Sequence, residues 1–245
     1  MAEPFELTIA QATLRMQQRS LSPVELMQSL LARASALEDS LRVWVTLDEG
    51  AALAAARRRE AELERGWLLG PLHGVPVGVK DIYYTKGVET TACSPIFADF
   101  VPEYDATSVS LLKRAGAIIM GKTVTTEFAY RDPPPTRNPW NPAYTPGGSS
   151  SGSAVGVAAR IFPAAMGSQT AGSVIRPASY NGVVGVKPTF GRISRYGVMP
   201  VAWSLDTMGY FARMVEDAAI FLNVLAGHDP NDASSSSVSV QDYVG

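Results

Sequence analysis

An α/β fold, with a central mixed or largely parallel sheet flanked by helices, is predicted by three features of the chain. Short apolar strand patterns alternate with helical ones along its length, the order that builds such a sheet. Several of the helical patterns open on recognisable capping residues. The apolar fraction, 46% of 245 residues, is that of an ordinary globular protein and supports a substantial core. No internal repeat or linker divides the chain, so residues 1–245 are read as a single domain.

Thr8 followed by Gln11 forms a capping box for a first helix through about Gln18. Ser22, Pro23 and Glu25 open a second, with Val24, Met27, Leu30 and Leu31 as its buried stripe. Residues 43–47, VWVTL, read as a short strand, and residues 51–65 as an alanine-rich helix whose Arg57–Arg59 and Glu60, Glu62 and Glu64 form a solvated face. The run GVPVGVKD, residues 74–81, is an apolar strand that delivers Lys80 near its end. Asp105 is expected to cap a helix through about Arg114, and residues 117–120 to form a buried strand. Pro and Asn make residues 131–144 irregular. Residues 183–186 give a further strand, and residues 215–225 an amphipathic helix closed by Gly227. From Ala233 onward four consecutive serines predict a disordered tail over 233–245.

Composition excludes several classes of partner. A net charge of −2 with both signs dispersed favours neither nucleic acid nor an anionic membrane surface. Cys93 is the single cysteine, which rules out an internal disulfide and fits a reducing cytoplasm. The N-terminus lacks the regions of a signal peptide, and Arg160 and Pro163 interrupt the longest apolar run. A soluble, cytoplasmic protein without membrane contact is expected.

The stretch from Gly147 to Pro177, GGSSSGSAVGVAARIFPAAMGSQTAGSVIRP, is the centre of the functional reading. Two serine-bearing turns, at Ser149 and Ser173, frame a small-residue helix candidate. Backbone amides at such turns make concave anion sites suited to the oxyanion of acyl transfer. Serines there are candidates for nucleophile and proton relay. A flexible linker is the alternative, but apolar runs flank the tract on both sides.

Other chemistries fare worse. GAIIMGKT, residues 116–123, matches the phosphate-loop pattern letter for letter, yet its Ala-Ile-Ile-Met centre reads as a strand and no helix pattern follows Lys122. Only His73 and His228 could serve as a histidine base, and both read as structural. No His/Cys cluster has metal-ligand spacing, and nothing calls for a cofactor. Lysine remains as the base. Burial can lower its pKa from about 10.4 by about 3–5 units, although Lys80 also reads as an ordinary strand-end lysine paired with Asp81.

Lys80 in GVPVGVKD, Ser149 in PGGSSSGSA and Ser173 in GSQTAGSVIRPAS together resemble the amidase signature family. Further matching stretches are Asp105-Ala106-Thr107, Gly121-Lys122-Thr123, residues 136–140, residues 182–189 and Ser204-Leu205-Asp206, so the similarity runs from about Leu7 to Asp232. The resemblance implies an amidase-signature fold and a Ser–cisSer–Lys triad, in which Ser173 attacks an amide carbonyl and Ser149, on a cis peptide bond, relays the proton to neutral Lys80. It also implies an oxyanion hole from the backbone N–H groups of Thr170, Ala171, Gly172 and Ser173, with Ser150 as an accessory donor.

Three departures stand out. Ser151 and Ala171 replace glycines common in the family, and Gln169 replaces the usual aspartate, a version closer to free-standing amidases than to amidotransferase subunits. Relatives also continue well beyond this C-terminus, so the domain reads as C-terminally incomplete. Three functions follow: an amidase acting on a small carboxylic amide without cofactor, the A subunit of a glutamine-dependent aminoacyl-tRNA amidotransferase, or a non-catalytic truncated remnant. An open sheet edge would favour homo-oligomers, or a partner supplying the missing C-terminal half.

Overall fold

The computed structural model describes residues 3–245. Capping boxes open the first two helices as the sequence predicts: Thr8 and Gln11 exchange hydrogen bonds at the start of α1 (Ile9–Gln17), and Ser22 and Glu25 at the start of α2 (Pro23–Leu41). Strand β1 (Trp44–Leu47) and helix α3 (Glu49–Glu64) follow, the latter capped by Asp48. Next come β2 (Pro76–Lys80), α4 (Thr107–Arg114) and β3 (Ile118–Thr123). The central stretch folds as α5 (Ser151–Ala158), β4 (Ala164–Gln169) and α6 (Ile175–Asn181). Strands β5 (Val184–Val186) and β6 (Thr207–Ala212) and helix α7 (Val215–Leu225) complete the regular elements.

The six strands form one mixed sheet in the order β1-β3-β2-β4-β6-β5. Its centre is parallel, with β2 between β3 and β4, and its flanks are antiparallel. Apolar side chains bury on both faces. Leu26, Met27 and Leu30 of α2, Val155 and Val157 of α5, and Phe162 and Phe211 share one core. Val77 and Val79 of β2, Val109 and Leu112 of α4, Tyr210 and Phe221 share the other. Because side chains alternate along a strand, Gly78 and Lys80 point away from Val77 and Val79, toward the α5 layer.

The Phe162 ring is wedged between α5 and β2, and glycine on each side, Gly156 and Gly78, makes room for it. A methyl carbon on Gly156 of α5 would stand 2.0 Å from Phe162 Cζ. Gly156→Ala is expected to destabilise the protein by about 1–3 kcal/mol through overpacking, which urea unfolding would measure.

Two local expectations are corrected. Asp105 does not cap α4: Ala106 holds the cap position, while the Asp105 carboxylate accepts from Lys86 N at 2.8 Å and pairs with Lys113 Nζ at 2.8 Å. The lysine and the loop amide compete successfully for its oxygens. Helix α7 does not close on a left-handed Gly227, since Ala226 leaves it extended and pairs with Ile193 as a bridge. The dismissal of the phosphate loop agrees with the structure, where Gly121, Lys122 and Thr123 belong to β3. Residues 233–245 carry no helix or strand; Arg192 donates to Val238 O, Ser239 O and the Tyr243 hydroxyl.

Candidate active site

Lys80 reaches the α5 layer at the C-terminal end of a central parallel strand, and its side chain is fully buried. Its Nζ lies 2.7 Å from Ser149 Oγ and 2.9 Å from Ser168 Oγ. Both partners are neutral hydroxyls, and among the described residues no carboxylate pairs with it. Burial therefore dominates its titration and pulls the pKa down to about 7, against the weaker opposing influence of Cys93 and Asp206. A neutral amine at that position offers a lone pair to a hydroxyl proton.

Ser149 stands in the turn before α5, and the Gly148–Ser149 peptide bond is cis. Gly147 precedes it with φ +73°, a left-handed conformation that glycine adopts without strain. The turn is held at several points. Arg176 donates through Nε and Nη2 to Gly148 O at 3.1 and 2.7 Å, while Thr126 N and Ser151 N donate to Ser149 O at 3.1 and 2.9 Å. Ser150 faces Ser168: its Oγ donates to Ser168 O at 3.3 Å and accepts from Ser168 N at 3.2 Å.

Ser173 is buried and meets this turn through its main chain, with Ser150 N donating to Ser173 O at 3.3 Å. Among the described residues, no hydrogen bond joins Ser173 Oγ to Ser149 or Lys80, so the structure brings Lys80 and Ser149 together directly and Ser173 beside them. The turn 170–173 leaves β4 at its end. Gln169 Oε1 closes it from within, accepting from Val174 N and Ile175 N at 2.9 Å each. Thr170 Oγ1 donates to Asp206 Oδ1 at 2.5 Å. Within the described residues, the N–H groups of Ala171, Gly172 and Ser173 donate to no protein acceptor. Neither Ala171 nor Gly172 has positive φ, so alanine at 171 fits the turn without strain.

Sequence reasoning missed Ser168, Arg176 and Asp206. The available signal for Ser168 was its place at the end of AAMGSQ, a run of small residues able to lie beside the lysine strand.

A second buried lysine makes an instructive contrast. Lys122 Nζ pairs with Asp81 Oδ1 at 3.2 Å and donates to Tyr83 O at 2.8 Å and Thr90 Oγ1 at 2.5 Å. Burial pulls its pKa to about 8, while Asp81 acts in the opposite direction. Asp81, which the alternative reading of Lys80 as an ordinary strand-end lysine would pair with it, is the partner of Lys122. Lys122→Met strands the buried Asp81 carboxylate and is expected to cost about 3–5 kcal/mol, whereas Asp81→Asn/Lys122→Met removes both charges and loses less. Chemical denaturation of the two variants checks this.

Among the described residues, no group of three or more His, Cys, Asp or Glu is arranged to hold a metal ion, and no helix is long and apolar enough to cross a membrane.

Comparison with known proteins places these features in a family context. A family model described as Amidase matches residues 25–244. The A subunit of glutamyl-tRNA(Gln) amidotransferase from Geobacter metallireducens is 46% identical over 247 residues, covering 98% of this chain and 51% of that protein. Native peptide amidase from Stenotrophomonas maltophilia superposes with a TM-score of 0.92 at 40% identity, over 98% of this chain and 52% of that one. The corresponding A subunit from Thermotoga maritima, whose crystal structure is known, superposes with a TM-score of 0.83 at 34% identity, over 98% and 51%. The chain spans about half the length of the curated relatives it matches.

Proposed function

The chain belongs to the amidase family, and on that premise we propose that it hydrolyses a carboxylic amide through an acyl-serine intermediate, with Ser173 as nucleophile, Ser149 as proton relay and Lys80 as base. The observation that carries this reading is the buried Lys80 amine, 2.7 Å from Ser149 Oγ and without a carboxylate partner. Ser173 Oγ attacks the carbonyl carbon as its proton passes through Ser149 to Lys80. The C–N bond then breaks, the same relay returns the proton to the leaving nitrogen, and water hydrolyses the ester. Catalytic hydrogen bonds are often longer before substrate binds, so a relay that closes only in the complex fits this arrangement.

The unpaired N–H groups of Ala171, Gly172 and Ser173 support an oxyanion site, with Thr170 N as a further donor. Each donor of this kind is typically worth about 3 kcal/mol. Ser150, occupied with the Ser168 main chain, would act by holding the relay serine's turn against β4. No cofactor enters this mechanism.

Purified chain incubated with a panel of simple amides should release ammonia or amine, and a serine-directed phosphonate should label Ser173. A second reading is favoured by the relatives at 44–46% identity, which are glutamyl-tRNA(Gln) amidotransferase A subunits. It requires ammonia release from glutamine that appears only with partner subunits. Neither activity nor labelling under either condition would leave the chain as a non-catalytic remnant.

A further inference from the structure

Asp206 is a buried carboxylate with a complete set of donors, and all of them belong to two loops beside the candidate active site. Its Oδ1 accepts from Thr170 Oγ1 at 2.5 Å, and its Oδ2 accepts from Val201 N and Ala202 N at 2.8 and 2.9 Å. An ionised carboxylate is acceptor-only, so three converging donors suit that state. The loop presenting Asp206 is closed on itself, with Leu205 N and Asp206 N both donating to Ala202 O at 3.0 Å. It leads directly into β6, whose Thr207 is in register with Gln169 at the end of β4. The carboxylate therefore grips the first residue of the 170–173 turn from outside, as Gln169 closes that turn from within.

We propose that Asp206 is a positioning residue of the oxyanion turn: through the Thr170 hydroxyl it holds residues 171–173 so that their three N–H groups stay unpaired and available to a substrate oxyanion. This inference rests on the reading of Ser173 as nucleophile. Its distinguishing consequence is that the Thr170–Asp206 bond matters to the transition state more than to substrate binding, because an oxyanion forms only there. The Asp206 charge also favours the Lys80 ammonium through space, whereas Cys93, its thiol pushed up to about 11 by burial, is uncharged near neutral pH.

Thr170→Val removes the hydroxyl and leaves Asp206 in its loop, whereas Asp206→Ala removes the carboxylate. Each is expected to lower kcat by about 10–100-fold with KM changed less than about threefold, and the double variant to lose no more than the worse single one, since the two groups act as a unit. Asp206→Asn can keep the hydrogen bonds by letting its amide donate to Thr170 Oγ1. It should recover most of the kcat lost in Asp206→Ala. With the negative charge gone, the acid limb of its pH profile should move to lower pH.

Losses that multiply in the double variant, or a rise in KM with kcat intact, would overturn the proposal. Backbone ¹⁵N relaxation of the amides of residues 171–173 gives a readout independent of turnover. Order parameters should fall in Thr170→Val while those of β4 and β6 hold, and unchanged values would overturn the inference even in an inactive chain. Absence of phosphonate labelling at Ser173 in the unsubstituted protein would instead remove the underlying reading of the nucleophile.

Discussion

Ser173→Ala is expected to abolish amide turnover and phosphonate labelling, a loss of roughly 10⁴–10⁶-fold in kcat, the scale found when a nucleophile is removed from a relay that works as a unit. On the proposed reading Ser173 has what a nucleophile needs: a hydroxyl, three N–H groups in its own turn without a protein acceptor among the described residues, and the Ser149 turn against its main chain. Alanine leaves those amides in place, so folding and substrate binding should persist while acylation stops. Steady-state ammonia release and intact-mass labelling measure both. Labelling of the variant at the unsubstituted rate would remove Ser173 from its role.

Lys80→Met should reduce acylation by several orders of magnitude and erase the acid limb of the pH profile. With a folded pKa of about 7, Lys80 is available as a base above that pH and protonates below it, so activity should fall as pH drops through 7. The same depression has a stability signature. Between pH about 7 and 10.5 the unfolded chain carries a proton on this lysine that the folded chain lacks, so stability rises with pH across that window. Lys122 contributes in the same direction from about pH 8 upward, while Cys93, pushed up to about 11 by burial, opposes both above about pH 9, so Lys80→Met should show most clearly as a flattened rise between pH about 7 and 8. If the variant kept near-normal rates, a histidine base would return to consideration. His73 is a poor substitute, because it is buried with Nε2 against Arg59 O at 2.8 Å and Nδ1 accepting from Leu69 N.

What could be read from the sequence is where local chemistry decides the outcome. Thr8 with Gln11, and Ser22 with Pro23 and Glu25, specify helix starts by themselves, and β2 announces itself by its valines. Strands β4 and β6 were not legible. Ala164, Ala165, Gly167 and Ser168 have little strand preference. They are extended because β6 pairs with all four and β2 with Ala164 and Ala165, and the small size of Gly167 admits neighbours such as Phe211 and Ser150. Asp105 shows the converse, a competent capping residue diverted by Lys113 and the Lys86 amide. At the site, Lys80, Ser149 and Ser173 could be picked out by motif. Ser168 and Asp206 lie in stretches that match the family, but their partners, Lys80 and Thr170, are set by strand register and not by the motif.

The position of β4 in the sheet also bears on how the chain comes to be folded. One edge of β4 pairs with β2, which is made long before it, and the other with β6, which is made after it. On the ribosome the second edge stays open until synthesis has passed Ala212. Pairings between distant segments form slowly, because the intervening loop must close before any contact rewards it. Through that interval an unpaired strand edge is available to neighbouring nascent chains. The order of synthesis thus leaves this edge of β4 as the place where pairing with another chain competes with β6.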